Sequence, residues 1–206
     1  MKIATSILSA NDRKKCIDEL NNTSTDFIHI DVMDNKFVPN YQMPINEVNE
    51  LGLYTKKPFD IHLMMEDPMT FIDKLDVKNT NSITIHLEID KDLNKIIDTI
   101  KAKRYLAGLA IKPNTDLKLI EPYINKIDKV IIMSVEPGFG GQKFIEDSIN
   151  KVKEIRKKRN DIIIEIDGGI NNKTIKKIDN LVDIAVAGSY IVNSNNYEEA
   201  INLLKN

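Results

Sequence analysis

Eight short apolar runs recur along this chain, and longer segments with helical spacing of Ile and Leu separate them. This alternation is typical of βα units and argues against a protein built from hairpins. The predicted strands are residues 3–7, 27–31, 59–64, 82–86, 105–111, 129–135, 162–166 and 184–187. The predicted helices are residues 12–20, 68–75, 91–102, 116–124, 145–158, 173–178 and 196–204. The pattern restricts the chain to an α/β fold with a parallel sheet.

Two arrangements of such a sheet are compatible with the alternation, a closed barrel and an open doubly wound sheet. An open sheet that binds a dinucleotide carries a glycine-rich turn after its first strand. Here the first strand ends in Ser6-Ile7-Leu8-Ser9, which contains no glycine. Eight strand–helix repeats in 206 residues also match the small end of the (β/α)₈ barrel range. We therefore predict a single-domain (β/α)₈ barrel over residues 1–206.

Composition excludes several other classes of protein. Lys and Arg number 29 against 31 Asp and Glu, so the formal net charge is -2 and no basic nucleic-acid platform is indicated. The single cysteine, Cys16, has no partner for an internal disulfide. No apolar run reaches the roughly 18 residues that a membrane span needs. These features predict a soluble cytoplasmic protein with neither a nucleic-acid nor a membrane partner.

Polar side chains stand where the predicted strands end, and this is the end of a barrel that carries the active site. They are His29, Asp31, His62 and Asp167. Two His and two Asp form a mixed N/O donor set suited to Zn²⁺, Mn²⁺, Fe²⁺ or Co²⁺, although any one of them alone is equally compatible with a polar plug at the rim. Asp31 and Asp167 come from distant strands and suit proton transfer on opposite faces of a substrate, but ligation without a proton role is also open.

Glycines follow the last three predicted strands. Gly138, Gly140 and Gly141 lie in the segment 133–144, where they suit a lid or a phosphate-facing loop, although an irregular connection is the alternative. Gly168-Gly169 and Gly188-Ser189 follow the seventh and eighth strands. Loops at these two places commonly bind phosphate through backbone N–H groups.

At these residues the sequence resembles the ribulose-phosphate 3-epimerase family. The matching segments occur in family order and span most of the chain. They are Ser6-Ile7-Leu8-Ser9-Ala10, His29-Ile30-Asp31-Val32-Met33-Asp34, Phe37-Val38-Pro39-Asn40, Asp60-Ile61-His62-Leu63-Met64, Met133-Ser134-Val135, Pro137-Gly138-Phe139-Gly140-Gly141-Gln142, Asp167-Gly168-Gly169-Ile170 and Ala187-Gly188-Ser189. Asn35 and Lys36 depart from the usual Gly and His of the family, but Asn tolerates a positive φ.

The resemblance implies an isomerase of the pentose phosphate pathway that interconverts D-ribulose 5-phosphate and D-xylulose 5-phosphate by proton transfer at C3. It implies one divalent metal ion per chain, Zn²⁺ first and Fe²⁺, Mn²⁺ or Co²⁺ as alternatives, with no organic cofactor, and a homo-oligomer. The implied ligands are His29, Asp31, His62 and Asp167, with Asp31 and Asp167 as the acid/base pair and His86 outside the ligand set. The implied substrate contacts are Ser6, His62, Gly138, Phe139, Gly140, Gly141, Gly168, Gly169, Gly188 and Ser189.

Phosphosugar barrels also perform other functions. A D-allulose-6-phosphate 3-epimerase uses the same machinery on a six-carbon sugar. Decarboxylases and aldol-type synthases of similar architecture use an Asp-x-Lys-x-x-Asp array, but His62 stands where that array has Lys. A non-catalytic barrel is disfavoured because every implied ligand is present.

Overall fold

Eight parallel strands dominate the computed structural model, which describes residues 1–205. They are rich in Ile and Val, as expected for strands buried on both faces. Their bounds are β1 Lys2–Ser6, β2 Phe27–Asp34, β3 Phe59–Met64, β4 Thr80–His86, β5 Leu106–Ile111, β6 Lys129–Met133, β7 Ile163–Asp167 and β8 Ile184–Ala187.

Each strand pairs in parallel with its chain neighbours, and β8 pairs back onto β1 with Ile3 opposite Ala185. The sheet therefore closes into a barrel, and the predicted (β/α)₈ fold is confirmed. A further two-residue strand, Tyr41–Gln42, pairs antiparallel with the end of β2. All eight predicted strands are present, with ends shifted by at most three residues.

Helices lie between the strands on the outside of the barrel. Asp12 caps the helix Arg13–Leu20 and Asp92 caps the helix Leu93–Ala102 by accepting hydrogen bonds from the backbone N–H groups of Lys15 and Lys95. The helices are α1 Arg13–Leu20, α2 Ile45–Leu51, α3 Met69–Lys74, α4 Leu93–Ala102, α5 Ser148–Lys158, α6 Ile175–Ile178, α7 Ser189–Val192 and α8 Tyr197–Lys205, and two 3₁₀ turns occupy Gly52–Tyr54 and Leu117–Ile120. No helix within residues 1–205 is long and apolar enough to cross a bilayer.

The helix predicted over residues 116–124 is wrong in extent, since the chain forms only the 3₁₀ turn Leu117–Ile120 followed by turns. Pro122 explains the difference because a proline ring clashes with the carbonyl four residues earlier and has no N–H to donate. The sequence analysis also did not predict α2, in which only Val48 and Leu51 are buried.

The strands separate two packed regions of different chemistry. Their outward faces meet the helices in one large apolar core that includes Ile28, Ile61 and Ile164. Their inward faces carry most of the buried polar side chains of the described residues. Those in the barrel interior are Ser6, His29, Asp31, Asp60, His62, Ser82, Thr84, His86, Lys129 and Glu165. Because side chains alternate along a strand, polar residues two apart on one strand enter this interior together.

Candidate active site

The predicted site residues on β2, β3 and β7 meet at the C-terminal mouth of the barrel. β2 brings His29 and Asp31 to the inner face, and Asp31 pairs in register with His62 of β3. The two imidazoles are fully buried, whereas the Asp167 side chain at the end of β7 keeps 15% exposure. Asp167 is therefore the most exposed of the four residues, and the two imidazoles lie in the closed interior.

Four donor atoms converge on one point. Nε2 of His29 lies 3.5 Å from Oδ1 of Asp31 and 3.8 Å from Oδ2 of Asp167. Nδ1 of His62 lies 3.4 Å and 3.5 Å from the same two oxygens. Both nitrogens are buried and have no hydrogen-bond partner among residues 1–205. Donors bound at about 2.1 Å to one ion stand roughly 3.0 to 3.4 Å apart, so this set fits a divalent transition-metal ion.

A buried network of charged side chains contacts His29 on the side of the ring that faces away from Asp31 and Asp167. Nδ1 of His29 lies 2.9 Å from Oδ2 of Asp60. Oδ1 of Asp60 accepts hydrogen bonds from the Ser82 hydroxyl and the Lys129 ammonium. Lys129 also donates to Oε2 of Glu165 at 3.0 Å. A carboxylate on the far nitrogen of a histidine orients the ring and fixes its tautomer.

His62 is held from the side by a second histidine. Its Nε2 lies 2.9 Å from Nε2 of His86, and Nδ1 of His86 lies 3.1 Å from Oε2 of Glu88. Oε1 of Glu88 accepts hydrogen bonds from the Lys112 N–H and the Thr115 hydroxyl. In one consistent pattern of protons, His62 Nε2–H donates to His86 and His86 Nδ1–H donates to Glu88, so Nδ1 of His62 presents its lone pair to the other donors.

Burial acts to lower the pKa of His29 and of His62, but the surrounding carboxylates outweigh it and raise the pKa of both rings. Burial is the largest cause that lowers the pKa of His86, to about 4, and it leaves this ring neutral and able to accept from His62. Burial acts to raise the pKa of Asp31, but the His29 and His62 imidazoles outweigh it and hold that pKa below its usual range. Burial raises the pKa of Glu165 to about 8, and the neighbouring Asp60 adds to the rise.

A cavity opens above the donor atoms and is covered by the glycine loop. Ser6 lines it and donates to Oδ2 of Asp31 at 2.7 Å. The loop from Gly138 to Gly141 forms its roof, and Asn40 anchors that loop by donating to the Gly138 carbonyl at 2.8 Å. Phe139 at the loop tip is 55% exposed. The loop is therefore fixed at its base and open to solvent at its tip.

Two glycines after β7 have backbone conformations that other residues rarely adopt. Gly168 has φ of 119° and Gly169 has φ of 65°. A Cβ on Gly169 would lie 2.5 Å from the backbone nitrogen of Phe144, so a side chain there would displace the chain that leads into α5. Ser134 fixes this turn because its hydroxyl donates to the carbonyls of Asp167 and Gly168. The turn thus keeps backbone close to the cavity.

The structure brings the predicted site residues together around this cavity. Those that line it are Ser6, Asp31, Gly138, Phe139, Gly140, Gly141, Asp167, Gly168, Gly169, Gly188 and Ser189, together with Met33, Met64 and Met133. His29 and His62 do not line it, but each ring places a nitrogen 3.4 to 3.8 Å from the Asp31 and Asp167 carboxylate oxygens.

The sequence analysis did not single out five buried or partly buried residues behind the two histidines, namely Asp60, Ser82, Lys129, Glu165 and Glu88. Strand alternation offered a signal for two of them, because Asp60 lies two residues before His62 and Glu165 two residues before Asp167.

Comparison with known proteins agrees with this geometry. The sequence profile of the ribulose-phosphate 3 epimerase family matches residues 2–192. The chain belongs to this family. The ribulose-phosphate 3-epimerase of Helicobacter pylori strain J99 is 35% identical over 211 residues, covering 100% of this chain and 97% of its own. Those of Bacillus subtilis and Schizosaccharomyces pombe are 35% and 36% identical, each over 100% of this chain and over 98% and 92% of theirs.

Solved structures with low sequence identity share the fold of this family member. KGPDC from Streptococcus mutans superposes with a TM-score of 0.74 at 16% identity, covering 98% of this chain and 94% of its own. The 3-hexulose-6-phosphate synthase of Salmonella typhimurium gives a TM-score of 0.72 at 16% identity, with 99% and 96% covered. These similarities support the barrel and carry no argument about the reaction.

Proposed function

We propose that this chain interconverts D-ribulose 5-phosphate and D-xylulose 5-phosphate by moving a proton at C3. One observation carries the proposal. In a chain of the ribulose-phosphate 3-epimerase family, the Asp31 and Asp167 carboxylates converge beneath a covered cavity with two imidazole nitrogens that have no hydrogen-bond partner within residues 1–205. Inversion at a carbon next to a carbonyl needs two acid/base groups and stabilisation of the charge that develops between them.

Asp31 and Asp167 are the proposed acid/base pair. They come from β2 and β7, which β1 and β8 separate in the closed barrel, so they approach the cavity from different sides. One carboxylate removes the C3 proton, and the other delivers a proton to the opposite face of the same carbon. Their roles exchange in the reverse reaction, and no organic cofactor is needed. Ser6 fixes Asp31 through Oδ2 and leaves Oδ1 facing the other donors.

His29, Asp31, His62 and Asp167 are the residues that would hold a divalent ion, and their mixed N/O donor set favours Zn²⁺ over the alternatives Fe²⁺, Mn²⁺ and Co²⁺. When bound, such an ion supplies Lewis-acid stabilisation of the negative charge that develops on substrate oxygens as the C3 proton leaves. The protein's own contribution is to keep both imidazole rings oriented and buried.

Substrate binding is assigned to the polar and glycine-rich wall of the cavity. None of the described residues that line it is Lys or Arg, which supports phosphate binding by backbone N–H groups at Gly168, Gly169, Gly188 and Ser189. The loop residues Gly138, Phe139, Gly140 and Gly141 would cover the bound sugar, and Ser6 would contact its reacting end. The substrate contact predicted for His62 has no support here, because its ring is fully buried and does not line the cavity.

We also propose that the protein acts in the cytoplasm on a free phosphosugar, without a nucleic-acid or membrane partner. A rice relative, 34% identical, is named a cytoplasmic isoform. That the chain forms one domain over residues 1–206 and associates as a homo-oligomer stays a prediction.

The decisive experiment is a coupled assay of the purified protein with D-ribulose 5-phosphate and, in parallel, D-allulose 6-phosphate. We expect turnover of the five-carbon substrate to exceed that of the six-carbon substrate. Faster turnover of D-allulose 6-phosphate would reassign the substrate, and no turnover of either by metal-loaded protein would overturn the proposal.

A further inference from the structure

A lysine ammonium lies inside the barrel, one layer below the proposed metal centre. Lys129 stands at the start of β6, and its side chain is 1% exposed. Lysine is rarely buried to this extent unless its charge is paired. β6 ends at Met133, which lines the cavity, so the buried charge of Lys129 lies in the same strand as a residue of the site.

Lys129 contacts both carboxylates of a second acidic cluster. Its Nζ donates to Oδ1 of Asp60, to Oε2 of Glu165 at 3.0 Å and to the Ser82 hydroxyl at 3.2 Å. Asp60, Glu165 and His29 also present ligand-type atoms within 4.8 Å of one another. The ammonium is thus already bound to both carboxylates of this lower cluster.

The contacts of Asp60 divide cleanly between its two oxygens. Oδ1 accepts hydrogen bonds from Lys129 and Ser82, whereas Oδ2 lies 2.9 Å from Nδ1 of His29. A carboxylate anchored by one oxygen keeps the other in a fixed direction, and this direction selects the Nδ1–H tautomer of the histidine. Nε2 of His29 then carries the lone pair, and it is the atom that faces Asp31 and Asp167.

We propose that Lys129 is a positioning residue that anchors Asp60 and thereby aims Nε2 of His29 at the metal centre. The inference rests on the proposed function insofar as His29 is a ligand. The competing role for Lys129 is purely structural, to stabilise the barrel interior through its hydrogen bond to Glu165. The two roles differ in which contact of Lys129 matters, the one with Asp60 or the one with Glu165.

A pair of variants separates these contacts. Glu165→Gln keeps Lys129 on Asp60 and keeps a side-chain oxygen at position 165, where Oε1 of Glu165 lies 3.5 Å from Nδ1 of His29. Lys129→Met/Glu165→Gln differs from this variant only at residue 129, so the comparison of the two isolates the loss of the ammonium that anchors Asp60. Lys129→Met alone leaves the buried Asp60 and Glu165 side chains without their shared hydrogen-bond donor and is expected to unfold at a lower temperature. Thermal unfolding and near-UV circular dichroism verify that each protein is folded.

The readout is Co²⁺ binding by the metal-free proteins, followed by visible d–d absorption and by competition with a chelator. We expect Glu165→Gln to bind Co²⁺ about as tightly as the unmodified protein. We expect the double variant to bind at least about tenfold more weakly, with an altered spectrum, as for loss of a group that orients a ligand. Equal affinities and spectra for the two variants would overturn the positioning role of Lys129 and leave the proposed metal centre standing. No Co²⁺ binding by the unmodified protein would overturn the metal centre and this inference with it.

Discussion

The two buried histidines face the same pair of carboxylates, yet they are held from behind by different chemistry. His29 contacts Asp60, whose other contacts are charged or polar groups buried in the barrel interior. His62 contacts the neutral ring of His86 and, through it, Glu88. Glu88 is bound by Lys112 and Thr115, which belong to the segment after β5. We conclude that strands alone orient His29, whereas a surface loop contributes to the orientation of His62.

The largest loss of activity should come from removing the metal ion that both histidines are proposed to bind. If the four donors bind one ion, elemental analysis should find about one transition-metal ion per chain, and chelation should abolish activity. Zn²⁺, Mn²⁺, Fe²⁺ or Co²⁺ should restore it. Full activity in a verified metal-free preparation would refute the shared centre, and the comparison of the two histidines would then concern packing only.

The next largest effect should come from the carboxylates that both histidines face. Asp31→Asn and Asp167→Asn each remove an anionic proton acceptor at nearly constant size. We expect kcat to fall by at least about 10² to 10⁴-fold in each, because general acid/base work contributes that much and a charged ligand is lost as well.

Isotope exchange sharpens this test. The surviving aspartate of each metal-loaded variant should still exchange the C3 proton slowly with D₂O, but only from the epimer that presents its proton to that side. The two variants should therefore prefer opposite epimers. Exchange from the same epimer in both would point to a single base and would contradict the two-carboxylate assignment.

Intermediate losses of metal affinity should distinguish the Asp60 contact of His29 from the His86–Glu88 contact of His62. Asp60→Asn leaves the buried Lys129 with one carboxylate and weakens the anchor of His29, so metal affinity should fall by about 10- to 100-fold. Breaking a buried ion pair also costs on the order of 3 kcal/mol of folding free energy. Glu88→Gln keeps an acceptor oxygen for His86 at a site with 17% side-chain exposure, and its effects should be smaller. Chelator competition measures the metal affinity, and thermal unfolding measures the stability. A larger loss in Glu88→Gln than in Asp60→Asn would show that the contact of His86 with Glu88 matters more than the contact of His29 with Asp60.

The smallest effect should come from a residue outside both supports. Ser189 lines the cavity beside Gly188 and is not one of the residues that contact His29 or His62. Ser189→Ala should raise KM for the phosphosugar by a few-fold, about the value of one lost neutral hydrogen bond, and leave metal affinity and thermal stability unchanged. A fall in metal affinity in this variant would mean that the phosphate wall and the metal centre are coupled.

Sequence reasoning predicted the barrel and the position of the mouth because both follow from periodicity. Ile-rich runs at regular intervals predict parallel strands, and polar residues at their ends are brought together by closure, as His29, His62 and Asp167 are. Asn35, which replaces a family glycine, has a positive φ of 57°, a conformation that Asn tolerates. The helix over residues 116–124 was wrong because its apolar spacing was weighed without Pro122.

The supports behind the histidines were harder to predict because they depend on contacts across strands. Lys129 and Glu165 are 36 positions apart in the chain, and only the barrel register brings them together. A charged residue inside an apolar strand is ordinarily read as the exposed member of an alternating pattern. Here alternation places both inside, a result that requires knowing which face of each strand points inward.

The pairing of β8 with β1 has a consequence for how this chain acquires its structure. β1 is made well before one of its two neighbours, Ile184–Ala187, because the paired residues Ile3 and Ala185 are 182 positions apart in the chain. Until then the growing sheet has two open edges, and an open edge is a template for pairing with other chains. Contacts over so long a sequence separation also slow folding. A chain that lacks β8 therefore keeps open edges on β1 and β7, and both edges close only when β8 is in place between them.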